Sequence, residues 1–253
     1  MKTPKALTVI ILTCALAALT QSAWAQSTHT PWTNLTPDKM TAVWWEWGYS
    51  IPYATSPWLD ESGANAANSQ PYFTAPGGPG QLLFLVGTDS VSGKVGRRIL
   101  IKEGTALFFP IINIEWDNMF VSPRLGGSVP VAGGSLGVPG LRALTDSFME
   151  SVSQNPYYCT LAANGGDPEP VASVRLSSPP FAYHLPAGNI YEYLNPGVVV
   201  SGTVAPAVSD GYWVFLPGGA LKAGSYVLHF GGAGTWQGYP FFQDITYQIT
   251  VMP

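Results

Sequence analysis

Charge is scarce in this 253-residue chain: 10% of residues are charged, with eleven Lys and Arg against fifteen Asp and Glu. Arg97-Arg98 is the only adjacent basic pair. Without a basic stripe, nucleic acid is excluded as a partner, because neutralising phosphates needs clustered cations. Anionic membrane surfaces are disfavoured for the same reason. Cysteine is nearly absent, with two in all, Cys14 and Cys159. Cys14 falls in the leader described below. The remaining thiol cannot form an internal disulfide, so stability must come from packing. No base is near Cys159 in sequence, and a buried or inert thiol is expected. Long apolar runs are missing after residue 19, so no integral membrane segment is expected. No His-Glu-x-x-His helix or phosphate loop occurs. The three histidines, His29, His184 and His229, stand at no metal spacing, and no metal or cofactor is expected.

What the chain does have is turn formers and apolar residues, with 28 Gly, 23 Pro and 46% apolar content. That combination describes many short strands joined by tight turns, and it argues against disorder. Lys2 and Lys5, an apolar run over 6–19 and Ala23-Trp24-Ala25 read as a secretory leader over 1–25, cut before Gln26. The leader holds two cations and no acid, so its removal takes the formal charge from −4 to −6. Export to the periplasm or the medium is the expectation. Residues 26–253 are expected to form a single β-sandwich domain.

Thr36-Pro37-Asp38 is a helix start, and Met40, Val43, Trp44 and Trp47 follow at one-face spacing, ending near Gly48. A second helix is expected over 140–153, with an apolar stripe of Leu141, Leu144, Phe148 and Val152. Strands are expected over 81–87, 97–102, 105–114, 171–176, 181–185, 197–205, 210–216, 225–231 and 243–251. Residues 124–140 and 159–170 read as loops. Pro110 predicts an edge or a bulge. In the final strand Ile245, Tyr247, Ile249 and Val251 alternate with Thr246, Gln248 and Thr250, which predicts one wet face. The fold class is mainly β: an antiparallel β-sandwich, immunoglobulin-like or jelly-roll-like, with two short helices over sheet edges or one end. Trp44 and Trp47 are expected to be buried against it.

The series Trp44-Trp45-Glu46-Trp47, Ser50-Ile51-Pro52, Asp60 and Gly63, Phe84 to Thr88, and Gly104 to Asn113 resembles a family of uncharacterised secreted bacterial proteins. Gly211-Tyr212-Trp213 and His229-Phe230-Gly231 fit the same picture. The resemblance covers most of the mature chain and implies export and a shared β fold. It transfers no activity or catalytic residue. It also implies cysteines near the places held here by Ala66 and Ile99, so a shared disulfide is not expected.

Asn113, Glu115 and Asp117 stand at i, i+2, i+4, so on a strand they share one face. Jelly-roll glycosidases place acids with this alternation in a cleft, one as acid and one as nucleophile. Here the first position is Asn, and the plainer expectation is a strand end with Glu115 and Asp117 in solvent. Glu46 is expected to be solvated, unless Trp45 and nearby loops cover it and raise its pKa. His229 faces away from Tyr226, Leu228 and Phe230. These four, Glu46, Glu115, Asp117 and His229, are the candidate catalytic residues. Trp58, Trp116 and Trp236 lie in or beside loops and, with Trp45, are candidates to stack on sugar rings, though most aromatics are expected in the core. The leading expectation is a binding protein for an extracellular polysaccharide or an envelope component. The alternative is a secreted polysaccharide hydrolase or lyase using the acidic residues. Convergence of Glu46, Glu115 and His229 in one cleft would favour the second.

Overall fold

Alternation along the chain sorts its strands into two kinds, and each kind builds one five-stranded sheet. The computed structural model describes residues 32–67, 70–72, 81–89, 93–117, 119–120, 131–132, 136–154, 156–194, 196–197, 199–236 and 239–253. The leader expected over 1–25, together with His29, lies outside the described residues, as does the side chain of Trp236.

One sheet joins β1 (Leu82–Phe84), β3 (Ala106–Asp117) and β10 (Gly202–Leu216), with β8 (Val174–Ser177) and β9 (Phe181–Leu185) side by side along the far edge of β10. We call it the inner sheet. The other runs in the order β2 (Lys94–Lys102), β12 (Tyr239–Met252), β11 (Gly224–Trp236), β6 (Tyr157–Ala163) and β7 (Glu169–Pro170). We call it the outer sheet. β4 (Met119–Phe120) and β5 (Val131–Ala132) pair with each other.

Between the sheets, Leu107, Phe109, Ile111 and Val214 meet Ile99, Leu228, Phe230, Ile245, Tyr247 and Ile249 in one core. The outer sheet buries one face only: β2 alternates exposed and buried from Lys94 to Ile101. The inner sheet is covered on both faces. Its second face carries Leu82, Phe84, Phe108 and Trp213, packed under α1 (Pro37–Tyr49) through Met40, Trp44 and Trp47. That double cover explains why β1 and the first half of β3 read as unbroken apolar runs. Trp44 is 2% exposed and donates its indole N–H to the Leu85 carbonyl at 2.9 Å. α2 (Val138–Ser153) touches strands of both sheets and seats Leu141, Phe148, Met149 and Val152 at one end of the sandwich. A third, short helix, α3 (Ile190–Leu194), follows β9.

The mainly β class and the two-sheet packing agree with the sequence reading. Several details differ. The sheets are mixed rather than antiparallel, because β1 runs parallel to β3 and β2 parallel to β12. Alternation fixes which face a residue takes and says nothing about strand direction. There are three α-helices among the described residues, one more than expected. The strands expected over 197–205 and 210–216 are one strand, and β6 (157–163) runs into the stretch 159–170 expected to be loop. Pro110 sits at a bulge: Tyr212 pairs with Ile112 and Trp213 with Pro110, leaving Ile111 as the extra residue. β1 ends opposite Phe108, so the missing N–H of Pro110 interrupts no ladder on that side. Ala66 and Ile99 are buried in one core cluster. Among the described residues no helix is long and apolar enough to cross a membrane.

Candidate functional site

The bulge at Ile111 decides where the acids of β3 point. Before it, odd positions face the outer sheet; after it, Ile112, Ile114 and Trp116 take that side, packed near α2. Asn113, Glu115 and Asp117 therefore turn together towards α1, as their spacing predicts. Their partners across the ladder on β10 are Gly211, Ser209 and Ala207. All three are small. A Cβ on Gly211 would come within 2.5 Å of the Asn113 Cβ, so only glycine lets Asn113 stand there undisturbed.

Contrary to expectation, this polar row does not end in open solvent. Tyr49, from the last turn of α1, donates its hydroxyl to Glu115 Oε2 at 2.9 Å. Tyr183 of β9 donates to Asp117 Oδ2, and its oxygen lies 3.1 Å from the Tyr191 hydroxyl of α3. The Tyr49 ring stacks on Tyr183 at 4.3 Å and on Tyr191 at 5.5 Å. Asp117 is 7% exposed. Asn113 and Glu115 are half-buried, and the buried part of each is its polar end.

Three buried polar atoms of this row have no hydrogen-bond partner in the protein: Asn113 Nδ2, Glu115 Oε1 and Ser209 Oγ. Leaving one such atom unpaired costs about 1–3 kcal/mol, and native folds keep few of them. Here three sit on two adjacent strands of one face. Ser209 is held in place through its backbone, its N–H by Ser178 Oγ at 2.9 Å and its carbonyl by Arg142 at 2.8 Å.

Burial, and then the charge of Asp117, push Glu115 well above the usual carboxylate range, while the Tyr49 hydroxyl pulls it back. Burial also pushes Tyr49, Tyr183 and Tyr191 well above the ordinary phenol range, helped by neighbouring acids and phenols. The site therefore offers neutral hydroxyl donors around a carboxyl that tends to keep its proton.

Comparison with protein-family models, with curated proteins and with solved structures gives no match. The role of the site follows from its own chemistry.

The other candidates fall elsewhere. Glu46 is half-buried on α1 rather than solvated, and burial raises its pKa. Its charge acts on Tyr72, whereas the charge acting on Glu115 is that of Asp117. His229 lies on the open face of the outer sheet, its Nε2 2.6 Å from Asp244 Oδ1. Tyr158 donates to the same oxygen at 2.9 Å, and Lys94 pairs with Oδ2 at 3.2 Å. Packed sheets stand about 10 Å apart, and Glu115 and His229 point outwards from opposite sheets. Glu46, Glu115 and His229 therefore do not converge. Trp58 and Trp116 are 8% and 7% exposed and serve as core rather than as displayed platforms. Trp45 is half-buried, stacked on Tyr49 at 5.3 Å, with its indole N–H buried and unpartnered. Both Trp45 and Trp58 pack against Tyr49, the tyrosine bonded to Glu115. Cys159 is buried, its thiol pushed up to about 12.

Sequence reasoning missed the three tyrosines and Arg97. Arg97 is 1% exposed and points between the sheets. It donates to the carbonyls of Val86, Pro57 and Asp60 and to the Tyr247 hydroxyl. Those bonds anchor the loop that carries Trp58 beneath Trp45 and Tyr49. Gly48 gives Trp58 room, since a Cβ there would lie 2.5 Å from the indole.

Proposed function

We propose that this chain is an exported binding protein for a neutral saccharide, taken up at the polar row of β3 and β10. The observation that carries the reading is the cluster of unpartnered atoms, Asn113 Nδ2, Glu115 Oε1 and Ser209 Oγ. A sugar hydroxyl both donates and accepts, so vicinal hydroxyls satisfy a donor and an acceptor set side by side. The Trp45 ring and the adjoining tyrosines supply the apolar contact that sugar faces prefer. The negative charge of Asp117 in the row repels an anionic ligand. The low charge of the chain and its leader-like first 25 residues agree with a role outside the cytoplasm.

Affinity electrophoresis through gels containing β-glucan, xylan, mannan or α-glucan tests the proposal. Retention by at least one polymer is expected. Asn113→Ala should weaken it roughly tenfold, the worth of one good hydrogen bond. Thr250→Ala, on the open face of the outer sheet, should leave it unchanged. Failure of every polymer to retain the protein, or indifference to Asn113→Ala, contradicts the proposal.

A further inference from the structure

We propose that the polar row also hydrolyses the glycosidic bond of the neutral saccharide it binds, with Glu115 as proton donor and Asp117 as the base for water. The inference rests on the saccharide reading above. Glu115 and Asp117 are alternate residues of one strand, so both carboxyls stand on the same face as neighbours, one able to donate a proton and the other to accept one. The surroundings of the two acids differ. Glu115 turns a buried oxygen without a partner into the row, where a bridging oxygen can meet it. Asp117 receives the Tyr183 hydroxyl, and the neighbouring Tyr191 hydroxyl extends that arrangement. A hydrogen bond of this kind suits a carboxylate acceptor. Burial raises Glu115 well above the usual carboxylate range, the direction a general acid requires.

In the step, the Glu115 proton passes to the bridging oxygen while the bond from that oxygen to the anomeric carbon breaks. The electron pair stays with the departing oxygen. Water forms the new bond to the anomeric carbon and gives its proton to Asp117. Return of that proton to Glu115 through solvent restores the pair, so one water is consumed for each bond cut. Nothing is oxidised or reduced. Elimination is disfavoured on two grounds. Tyr49, Tyr183 and Tyr191 are held as neutral hydroxyls rather than bases, and the negative charge of Asp117 repels the uronates on which elimination acts.

The groups facing Glu115 set the pH dependence: Asp117 on its own strand, Tyr49 from α1, and Tyr183 and Tyr191 from β9 and α3. Activity should fall as pH rises through the raised Glu115 value, so the alkaline limb lies above the usual carboxylate range. Tyr49→Phe removes the bond that holds this value down and should move the limb further up.

The test measures new reducing ends and gel retention on the same four polymers. Wild-type turnover is expected. Glu115→Gln and Asp117→Asn should each lower it about a hundredfold or more, with retention kept within about threefold. Kept retention shows that the variants fold. Retention of wild type without new reducing ends overturns this inference and leaves the binding reading standing. Turnover that survives both substitutions overturns the assignment of the two acids. Absence of retention on every polymer overturns the binding reading itself, and this inference with it.

Discussion

Each sheet turns one face away from the shared core, and polarity has a different meaning on the two. On the outer sheet that face is open. Thr250 and Gln248 are exposed, and His229, Asp244, Tyr158 and Lys94 satisfy one another at the surface. Polar groups in water cost little and need no further role. On the inner sheet the corresponding face lies under α1, with Tyr183 of β9 and Tyr191 of α3 against it, and the only polar row there, among the described residues, is that of Asn113, Glu115 and Asp117. Polar groups under cover are costly unless paired, and part of this row is unpaired. A fold that keeps such a row gives up stability there, and that cost supports the proposed site. The comparison also explains why a His–Asp–Tyr cluster, the more enzyme-like arrangement on paper, carries less weight here. It is self-satisfied and exposed.

The contrast is easiest to break with a large side chain. Trp44→Ala, under the inner sheet's covered face, should cost about 3–5 kcal/mol. Val227→Ala, exposed on the outer sheet, should stay within about 0.5 kcal/mol. Urea unfolding of both variants measures the pair. Losses of equal size would mean that the covered face is not a core.

Glycine substitutions sharpen the comparison. Gly211→Ala places a Cβ 2.5 Å from Asn113 and should cost about 1–3 kcal/mol through overpacking. Saccharide retention should fall with it. On the exposed side, a Cβ at Gly96 meets nothing within 4 Å, so Gly96→Ala should gain about 0.5 kcal/mol. Thermal unfolding midpoints should move in opposite directions.

The smallest effect belongs to Asp244→Asn. The bond to His229, with those from Tyr158 and Lys94, holds the Asp244 carboxyl below its usual range. A lowered folded-state pKa adds stability above the unfolded value, and that stability is lost as pH falls through the folded one. For an exposed cluster the difference should be under about 1 kcal/mol at neutral pH. It should shrink in high salt and vanish in acid. Unfolding midpoints at neutral and acid pH check this; a difference that persists in acid would contradict the ionic account.

Much of this architecture was readable from side-chain period. The one-faced alternation of Ile245 to Val251 announced a half-wet strand. The same period of two placed Asn113, Glu115 and Asp117 on one face. What covers that face was not readable. Tyr49 and Tyr183 each lie 66 residues from the acid they bond, and such pairings leave no mark on local spacing. The expectation of solvated acids failed for that reason. Trp58 and Trp116 were expected as loop aromatics because proline, glycine and polar neighbours flank them. Gly48 of α1 makes room for Trp58, and α2, further along the chain, covers Trp116. Arg97 stood out in the sequence only as half of the one adjacent basic pair. Its place on the alternating strand β2 turns it inwards, while Arg98 turns out. Parallel pairing of β1 with β3 left no trace, since direction does not alter the face a residue takes.

The central claim is that Glu115 is a buried carboxyl held well above the usual carboxylate range inside the proposed binding row. Carbon-13 titration of the Glu115 carboxyl in the intact protein tests it without a ligand. The account predicts titration well above the usual carboxylate range, in steps shared with Asp117, and a further rise in Tyr49→Phe. Titration near the ordinary glutamate value, unmoved by Tyr49→Phe, would contradict it.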